Sequence, residues 1–80
     1  MYTVYILLCG DNTLYTGITT NIERRLREHQ EGKGSKYTRA RNVVKMVYGE
    51  KCRNKRVALK REAEIKHLTR EKKINLINQQ

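Results

Sequence analysis

Five side chains suited to phosphate chemistry are spread along this 80-residue chain. They are two tyrosines, an arginine, a histidine and a glutamate: Tyr5, Tyr15, Arg25, His29 and Glu62. A phenol can accept a proton from an attacking water if nearby cations lower its pKa. A guanidinium binds phosphate oxygens through two donors and stabilises the charge of the transition state. This combination suits the cleavage of a phosphodiester bond.

The spacing of these residues predicts which of their side chains lie on a common face or next to an open stretch of backbone. Arg25 and His29 are four residues apart in a predicted helix, so both project from one helix face. Tyr15 is followed two residues later by Gly17, whose missing side chain lets another group approach the backbone closely. Ordinary roles stay open as well. Tyr5 and Tyr15 would then pack across a hairpin, and His29 would be a structural or solvated group.

A hairpin is predicted at the start of the chain. Residues 2–9 are β-branched, aromatic and aliphatic, which predicts a strand buried on both faces. Residues 10–12 have the composition of a turn. Residues 13–18 predict a second strand, antiparallel to the first.

A helix is predicted to follow the hairpin and to carry Arg25 and His29. The hydroxyl of Thr20 and the carboxyl of Glu23, three residues later, form a capping-box pattern. The helix should therefore run over residues 21–30, and Gly32 should end it.

The second half of the chain predicts one more strand and two more helices. Residues 43–48 predict a third strand, Asn54 caps a helix over 55–68, and Thr69 caps a short C-terminal helix. The order is ββαβαα, which predicts an α+β fold with a small three-stranded antiparallel sheet flanked by helices. The length favours a single domain over residues 1–80.

The charge of the chain indicates a polyanionic partner. Lys and Arg number 18 against 8 Asp and Glu, a net charge of +10, which favours contact with nucleic acid. The segment 33–42 is predicted to be a basic loop, whose cations and one aromatic suit a phosphate backbone and a splayed base. Its candidate contacts are Lys36, Tyr37, Arg39 and Arg41, with Arg24 and Arg27 on the preceding helix. The simpler alternative is a flexible or solvated charged surface.

Glu62 falls where the second predicted helix, over residues 55–68, should be apolar. At about 100° per residue, Glu62 lies near the centre of an apolar face and Glu64 lies on the opposite side. That face is formed by Ala58, Leu59, Ala63 and Ile65. A carboxylate aimed at a core or cleft is costly unless a cation or hydrogen bonds compensate it. Glu62 is therefore a candidate metal ligand, with an ion pair to Arg25 or Lys66 as the alternative.

The remaining features favour an intracellular protein. Cys9 and Cys52 form no close pair, and four metal ligands are not available around them, so reduced structural thiols are expected. The N-terminal apolar run has no signal-peptide flanks and is too short to cross a bilayer. The predicted location is the cytoplasm, or the nucleoid in a bacterium, and no membrane partner is expected.

Two triplets, Thr3-Val4-Tyr5 and Tyr15-Thr16-Gly17, come before Arg25, His29 and Glu62 in this order. The set resembles the GIY-YIG family of metal-dependent DNA nucleases, over nearly the whole chain, and in particular its stand-alone single-domain members. Thr3 replaces the glycine of the family name, and Thr16 replaces its aliphatic residue. Neither replacement touches a candidate catalytic group.

The resemblance implies a role for each candidate. Tyr5 or Tyr15 would be the base and the water-positioning group, with Tyr5 preferred as base. Arg25 would clamp the phosphate, and His29 would support it by a hydrogen bond to phosphate or to a tyrosine. Glu62 would bind one Mg²⁺ or Mn²⁺, held weakly without DNA because phosphate and water supply the other ligands. Gly17 would lie at the nucleic-acid interface.

The function implied is a DNA endonuclease that is structure-dependent or weakly sequence-selective, in DNA repair or recombination. Branched, nicked or single-stranded DNA would be the substrate, a targeting protein the partner, and no small-molecule cofactor is expected. The alternative is a nucleic-acid-binding module with the same fold and little or no turnover. A third alternative, a structural protein of the translation apparatus, leaves a core-facing glutamate unexplained.

Overall fold

A β-hairpin carries the two candidate tyrosines. In the computed structural model, which describes Met1–Gln80, strand β1 spans Tyr2–Cys9 and strand β2 spans Leu14–Thr19. The two strands are antiparallel, and their register places Tyr5 opposite Gly17. The predicted hairpin is confirmed, and its second strand is shifted by one residue.

The third strand, β3, spans Val43–Cys52 and pairs antiparallel with β1, so the sheet order is β2-β1-β3. The prediction that this strand ends at residue 48 was wrong. Its polar second half stays paired with β1 as far as the pair Tyr2 and Cys52. Backbone hydrogen bonds to the central strand β1 continue β3 beyond the point where its side-chain pattern suggested that the strand ends.

Four helices surround the sheet. Helix α1 spans Ile22–Gln30, α2 spans Lys36–Arg41, α3 spans Lys55–Lys66 and α4 spans Arg70–Asn78. The α+β fold with a three-stranded antiparallel sheet is confirmed. Helix α2 is an addition to the predicted order, and α3 ends two residues before its predicted end. None of the helices combines the length and the apolar character needed to cross a membrane.

Side-chain caps fix where most helices begin. Asn21 caps α1, because its Oδ1 accepts the Arg24 N–H at 3.0 Å. The predicted cap, Thr20, is therefore one residue too early. The predicted caps of α3 and α4 are confirmed, since Asn54 and Thr69 each accept a backbone N–H three residues later.

Helix α2 lies inside the segment that was predicted to be a loop. Ser35 Oγ accepts the Thr38 N–H at 3.2 Å, and Thr38 Oγ1 accepts the Ser35 N–H at 3.2 Å. This is a capping box with threonine in the place of the usual glutamate. Gly32, in a left-handed conformation with φ of 79°, ends α1 as predicted and turns the chain toward α2.

The apolar core lies between the sheet and α3. It consists of six buried side chains from β1, β3 and α3: Val4, Ile6, Tyr48, Cys52, Ala58 and Ile65. Successive side chains of a strand point to opposite faces of a sheet. Tyr5 therefore projects to the other face of β1, where it meets α1.

Candidate active site

A buried hydrogen bond joins Tyr5 and His29. The Tyr5 hydroxyl on β1 lies 3.0 Å from His29 Nε2 on α1, and each side chain is only 1% exposed. The two residues are 24 positions apart in the chain. The predicted support of a tyrosine by His29 has this geometric counterpart.

Gly17 allows Tyr5 to reach α1. A Cβ at position 17 would lie 2.6 Å from the Tyr5 hydroxyl oxygen, closer than real contacts allow. The Tyr5 side chain therefore crosses β2 directly over Gly17. Close approach to this glycine was predicted from its position in the strand. The approaching group is Tyr5, and Gly17 is buried beside it, so Gly17 gives Tyr5 the space to reach α1. Nucleic-acid contact by Gly17 stays a prediction.

Tyr15 and Tyr37 extend this pair into an aromatic cluster. The Tyr15 ring centroid is 5.3 Å from that of His29 and 6.5 Å from that of Tyr5. The Tyr37 ring on α2 lies 5.7 Å from Tyr15 on its other side. The two candidate tyrosines thus pack together across the hairpin and also both meet the imidazole.

Arg25 lies one helical turn before His29 and acts electrostatically on the same pair. Its Nη1 donates to Glu28 Oε1 at 3.1 Å, and its side chain is 30% exposed. Glu28 was not among the predicted residues, although a carboxylate three positions after an arginine is a recognisable helix pair. It orients a guanidinium that is still accessible from solvent.

The protonation states of the pair follow from burial. Burial raises the pKa of Tyr5, the neighbouring Tyr15 raises it further, and only Arg25 opposes this. The lowered phenol pKa expected from nearby cations is therefore not found. Burial, followed by the positive charge of Arg25, lowers the pKa of His29. At neutral pH a protonated phenol faces a neutral imidazole, which can accept its proton.

Two further residues of the site, besides Glu28, were missed in the sequence. Thr38 Oγ1 lies 2.7 Å from His29 Nδ1, and Thr38 is fully buried. Gly34 packs against the same ring, and a Cβ there would overlap the imidazole. The Ser35–Thr38 spacing is a capping signal, but nothing in the sequence links Thr38 with His29 across a helix end.

Glu62 lies on α3 in a partly buried position. Its side chain is 19% exposed, and its Oε2 is 3.5 Å from Lys66 Nζ, which is the ion pair that was left open as an alternative. Glu64 is exposed, as predicted. The predicted apolar face was too wide, because Leu59 is 45% exposed and Ala63 is exposed, whereas Ala58 and Ile65 are buried. The sheet covers a narrower stripe of α3 than its composition suggests.

The residues present fit at most a sparsely ligated metal ion. No group of three or more His, Cys, Asp or Glu side chains comes together anywhere in the chain. Glu62 is close enough to Tyr5 for its negative charge to raise the pKa of that phenol. One carboxylate beside a phosphate site is compatible with Mg²⁺, which keeps several waters and binds substrate phosphate.

The basic side chains near the site fall into two classes. Most candidates are exposed and have no acidic partner within ion-pair distance: Arg24, Arg27, Lys36 and Arg39. Arg41 differs, because its guanidinium lies 3.9 Å above the Tyr37 ring and its Nε lies 3.0 Å from Asp11 Oδ2. These contacts tie α2 to the hairpin turn, and contact of the partly exposed Arg41 with DNA stays a prediction.

The exposed part of the candidate site, formed by Tyr15, Arg25 and Glu62, is a surface and not a cavity, while Tyr5 and His29 are buried. A surface pocket lies between the start of β1 and the N-terminus of α1, where Thr3, Asn21 and Lys51 are among its lining residues. None of the five candidate catalytic side chains lines it. An open surface suits a polymeric substrate better than a small molecule.

Comparison with known proteins identifies similar chains. The family model described as the GIY-YIG catalytic domain matches residues 1–75. The chain is 54% identical over 74 residues to a UPF0213 protein of Natronomonas pharaonis, covering 92% of this chain and 87% of the relative. It is 55% identical over 75 residues to a UPF0213 protein of Clostridium perfringens, covering 94% and 81%.

A solved structure supports the same relationship. The solution NMR structure of a UPF0213 protein from Bacillus halodurans matches with a TM-score of 0.64 and 43% identity, covering 100% of this chain and 86% of that one. The order of Tyr5, Tyr15, Arg25, His29 and Glu62, the sheet topology and the family match agree. This chain therefore belongs to the GIY-YIG family and carries its catalytic domain, which supports a nuclease-type function.

Proposed function

We propose that this protein is a divalent-metal-dependent endonuclease that hydrolyses phosphodiester bonds in DNA. The observation that carries the proposal is the buried hydrogen bond between Tyr5 and His29, with Arg25 one turn away on α1. A structural aromatic cluster needs neither a neutral imidazole aligned on a phenol nor a partly exposed guanidinium beside them. The hydrolysis of a phosphodiester by a tyrosine base and an arginine clamp uses both.

Tyr5 and His29 together would act as the general base. The attacking water would give a proton to the Tyr5 hydroxyl oxygen while the Tyr5 proton passes to His29 Nε2 across 3.0 Å. Because Tyr5 is 1% exposed in the free protein, DNA binding would have to open this hydroxyl to water. The lowered pKa of His29 keeps it neutral and able to accept at neutral pH. The raised pKa of Tyr5 favours the neutral phenol at neutral pH, so its proton would pass to His29. Tyr15, in contact with both rings, would orient the water.

Arg25 would bind the phosphate undergoing attack. Its guanidinium is partly exposed and is oriented by Glu28, and it can offer further donors to phosphate oxygens. A bound phosphate also brings negative charge next to His29. That charge compensates the imidazolium that forms near Arg25 when the proton arrives.

Glu62 would hold one Mg²⁺ or Mn²⁺ together with phosphate and water. The ion, when bound, supplies positive charge that stabilises the phosphate oxygens during cleavage. Lys66, which is more than half exposed, would move away from Glu62 at little cost, since exposed ion pairs contribute about 0–1 kcal/mol. Binding through a single carboxylate should be weak without DNA.

The exposed cations of α1 and α2 would bind the flanking DNA backbone. Contacts to phosphate fix the position of a protein on DNA but carry no sequence information directly. We therefore propose structure-dependent or weakly selective cleavage of branched, nicked or single-stranded DNA by one domain over residues 1–80. A role in DNA repair in the cytoplasm or nucleoid, with a targeting protein as partner, belongs to the same proposal.

The alternative is a nucleic-acid-binding module without significant turnover. The specific observation in its favour is the ion pair between Glu62 and Lys66, which satisfies the candidate metal ligand within the protein. Both functions need the basic surface, so binding measurements do not separate them.

Matched glutamate variants separate the two functions. Wild type, Glu62→Gln and Glu64→Gln are tested on duplex, nicked, flapped and branched DNA, with Mg²⁺ or Mn²⁺ or with a chelator. We expect metal-dependent cleavage by the wild type and by Glu64→Gln. Glu62→Gln should bind DNA but not cleave it. Binding without cleavage in the wild type favours the alternative. Cleavage by Glu62→Gln at the wild-type rate in limiting Mg²⁺ would show that the metal ion binds elsewhere.

A further inference from the structure

The second nitrogen of His29 is held by a hydroxyl that has several neighbours. Thr38 Oγ1 lies 2.7 Å from His29 Nδ1. It also lies 3.2 Å from the Ser35 N–H and 3.2 Å from the Ser35 carbonyl oxygen, and Ser35 Oγ is 3.1 Å away. The Ser35 N–H can only donate and the Ser35 carbonyl can only accept. These constraints limit where the protons of the network can be.

Three protons have to be placed between Tyr5 and Ser35: the Tyr5 hydroxyl proton, the one imidazole proton and the Thr38 hydroxyl proton. In one arrangement Tyr5 donates to Nε2, Nδ1–H donates to Thr38, and Thr38 donates to the Ser35 carbonyl. Every proton then has an acceptor. In the reverse arrangement Thr38 donates to Nδ1 and Nε2–H donates to Tyr5, which leaves the Tyr5 proton without an acceptor in the protein.

Burial makes the difference between these arrangements costly. Tyr5 and His29 are each 1% exposed and Thr38 is 0% exposed, so water does not replace a missing partner easily. A buried donor without an acceptor costs about 1–3 kcal/mol. The unsatisfied donor by itself therefore favours the first arrangement by at least about a factor of five, since 1.4 kcal/mol is a factor of ten.

We propose that Thr38 is a positioning residue that fixes His29 in its Nδ1–H tautomer, so that the Nε2 lone pair faces the Tyr5 hydroxyl. This rests on the proposed function for its catalytic meaning, since only a proton-accepting His29 needs that tautomer. A free imidazole prefers the opposite tautomer, with its proton on Nε2. The N-terminus of α2 therefore acts on the chemistry of α1 and β1 without touching substrate.

The tautomer of His29 can be measured without any activity. Long-range proton–nitrogen correlation NMR at pH 7.5 distinguishes protonated from unprotonated ring nitrogens, and exposed His67 is an internal reference in the same protein. We expect His29 to be protonated at Nδ1. Thr38→Val should reduce the Nδ1–H share, and Thr38→Ser should restore it. Ser35→Ala removes the cap hydroxyl of the same helix but keeps the Ser35 backbone groups, so it should leave the tautomer unchanged.

Turnover gives a second measurement. Thr38→Val should lower kcat by about 10- to 100-fold, by analogy with the loss when hydrogen-bond partners of metal-ligating histidines are removed. Thr38→Ser should recover most of it. A wild-type His29 protonated at Nε2, or a Thr38→Val protein with an unchanged tautomer, overturns the proposal. If Thr38→Val does not fold, the wild-type and Thr38→Ser spectra still decide. An Nδ1–H tautomer in a protein that cuts no DNA upholds the positioning role and counts against the nuclease function alone.

Discussion

Replacing Gly34 by alanine should both destabilise the protein and displace His29. A Cβ at Gly34 would overlap the imidazole, and Gly34 does not need a left-handed backbone, so the effect is purely steric. The ring cannot swing away, because it is 1% exposed and is held at both nitrogens. Overpacking of this kind costs about 1–3 kcal/mol. In a domain of this size the melting temperature falls by about 4–8 °C per kcal/mol, which predicts a loss of roughly 4–24 °C.

Gly49→Ala is the matched control for this change. The nearest atom that a Cβ at Gly49 would meet is Met46 Cε at 3.6 Å, an ordinary contact on an exposed part of β3. That variant should be unchanged or stabilised by about 0.4–1 kcal/mol, since alanine restricts the unfolded chain. Thermal unfolding followed by circular dichroism measures both variants, and a cleavage assay below their melting temperatures measures the site. If Gly34→Ala melts and cuts like Gly49→Ala, the packing of His29 described above is wrong.

Three further outcomes follow from the charges and protonation states of the site. Arg25→Ala should lower kcat by on the order of 100- to 1,000-fold with a smaller effect on DNA binding, whereas Arg27→Ala should lower kcat less. Equal cleavage rates of wild type and Arg25→Ala would show that Arg25 does not clamp the phosphate. The pKa of His29 is lowered in the folded protein, so below pH 6.5 the unfolded imidazole takes up a proton more readily than the buried one. The stability that this burial allows is therefore fully present above pH 6.5 and falls as the pH drops below it. Denaturant titrations from pH 8 to pH 5 should show this loss of unfolding free energy, and the loss should be smaller in His29→Gln. DNA affinity should fall steeply with salt, by roughly 0.9 logarithmic units per phosphate contact for each tenfold increase, and a flat response or a strong preference for one short duplex sequence would contradict a phosphate-dominated interface.

The hairpin and the first helix could be predicted because their signals are local. The apolar run of residues 2–9, the turn after it and the spacing of Arg25 and His29 depend on neighbours in the chain. Gly17 in a strand predicted a close approach, which the structure shows to be that of Tyr5. Periodicity and turn chemistry are sufficient for features of this kind.

The residues that were missed depend on contacts between distant elements. Thr38 and Gly34 meet His29 only because α2 folds back against α1, and a six-residue helix without an apolar face has no periodic signal. The second half of β3 is polar and becomes a strand through pairing with β1. The direction of the Tyr5 pKa shift depends on burial outweighing the charge of Arg25, which composition alone does not determine.

Cleavage by Tyr5→Phe tests the Tyr5–His29 base most directly, with Tyr48→Phe as its control. Each variant removes the hydroxyl of a buried tyrosine that makes one side-chain hydrogen bond. Tyr5 bonds to His29, and Tyr48 donates to Glu50. Tyr48 belongs to the core on the α3 face, away from His29. With both variants folded, we predict that Tyr5→Phe lowers kcat by about 100- to 10,000-fold, the usual contribution of a general base, and that Tyr48→Phe cuts at nearly the wild-type rate. Wild-type cleavage by Tyr5→Phe would contradict the assignment of this pair as the catalytic base.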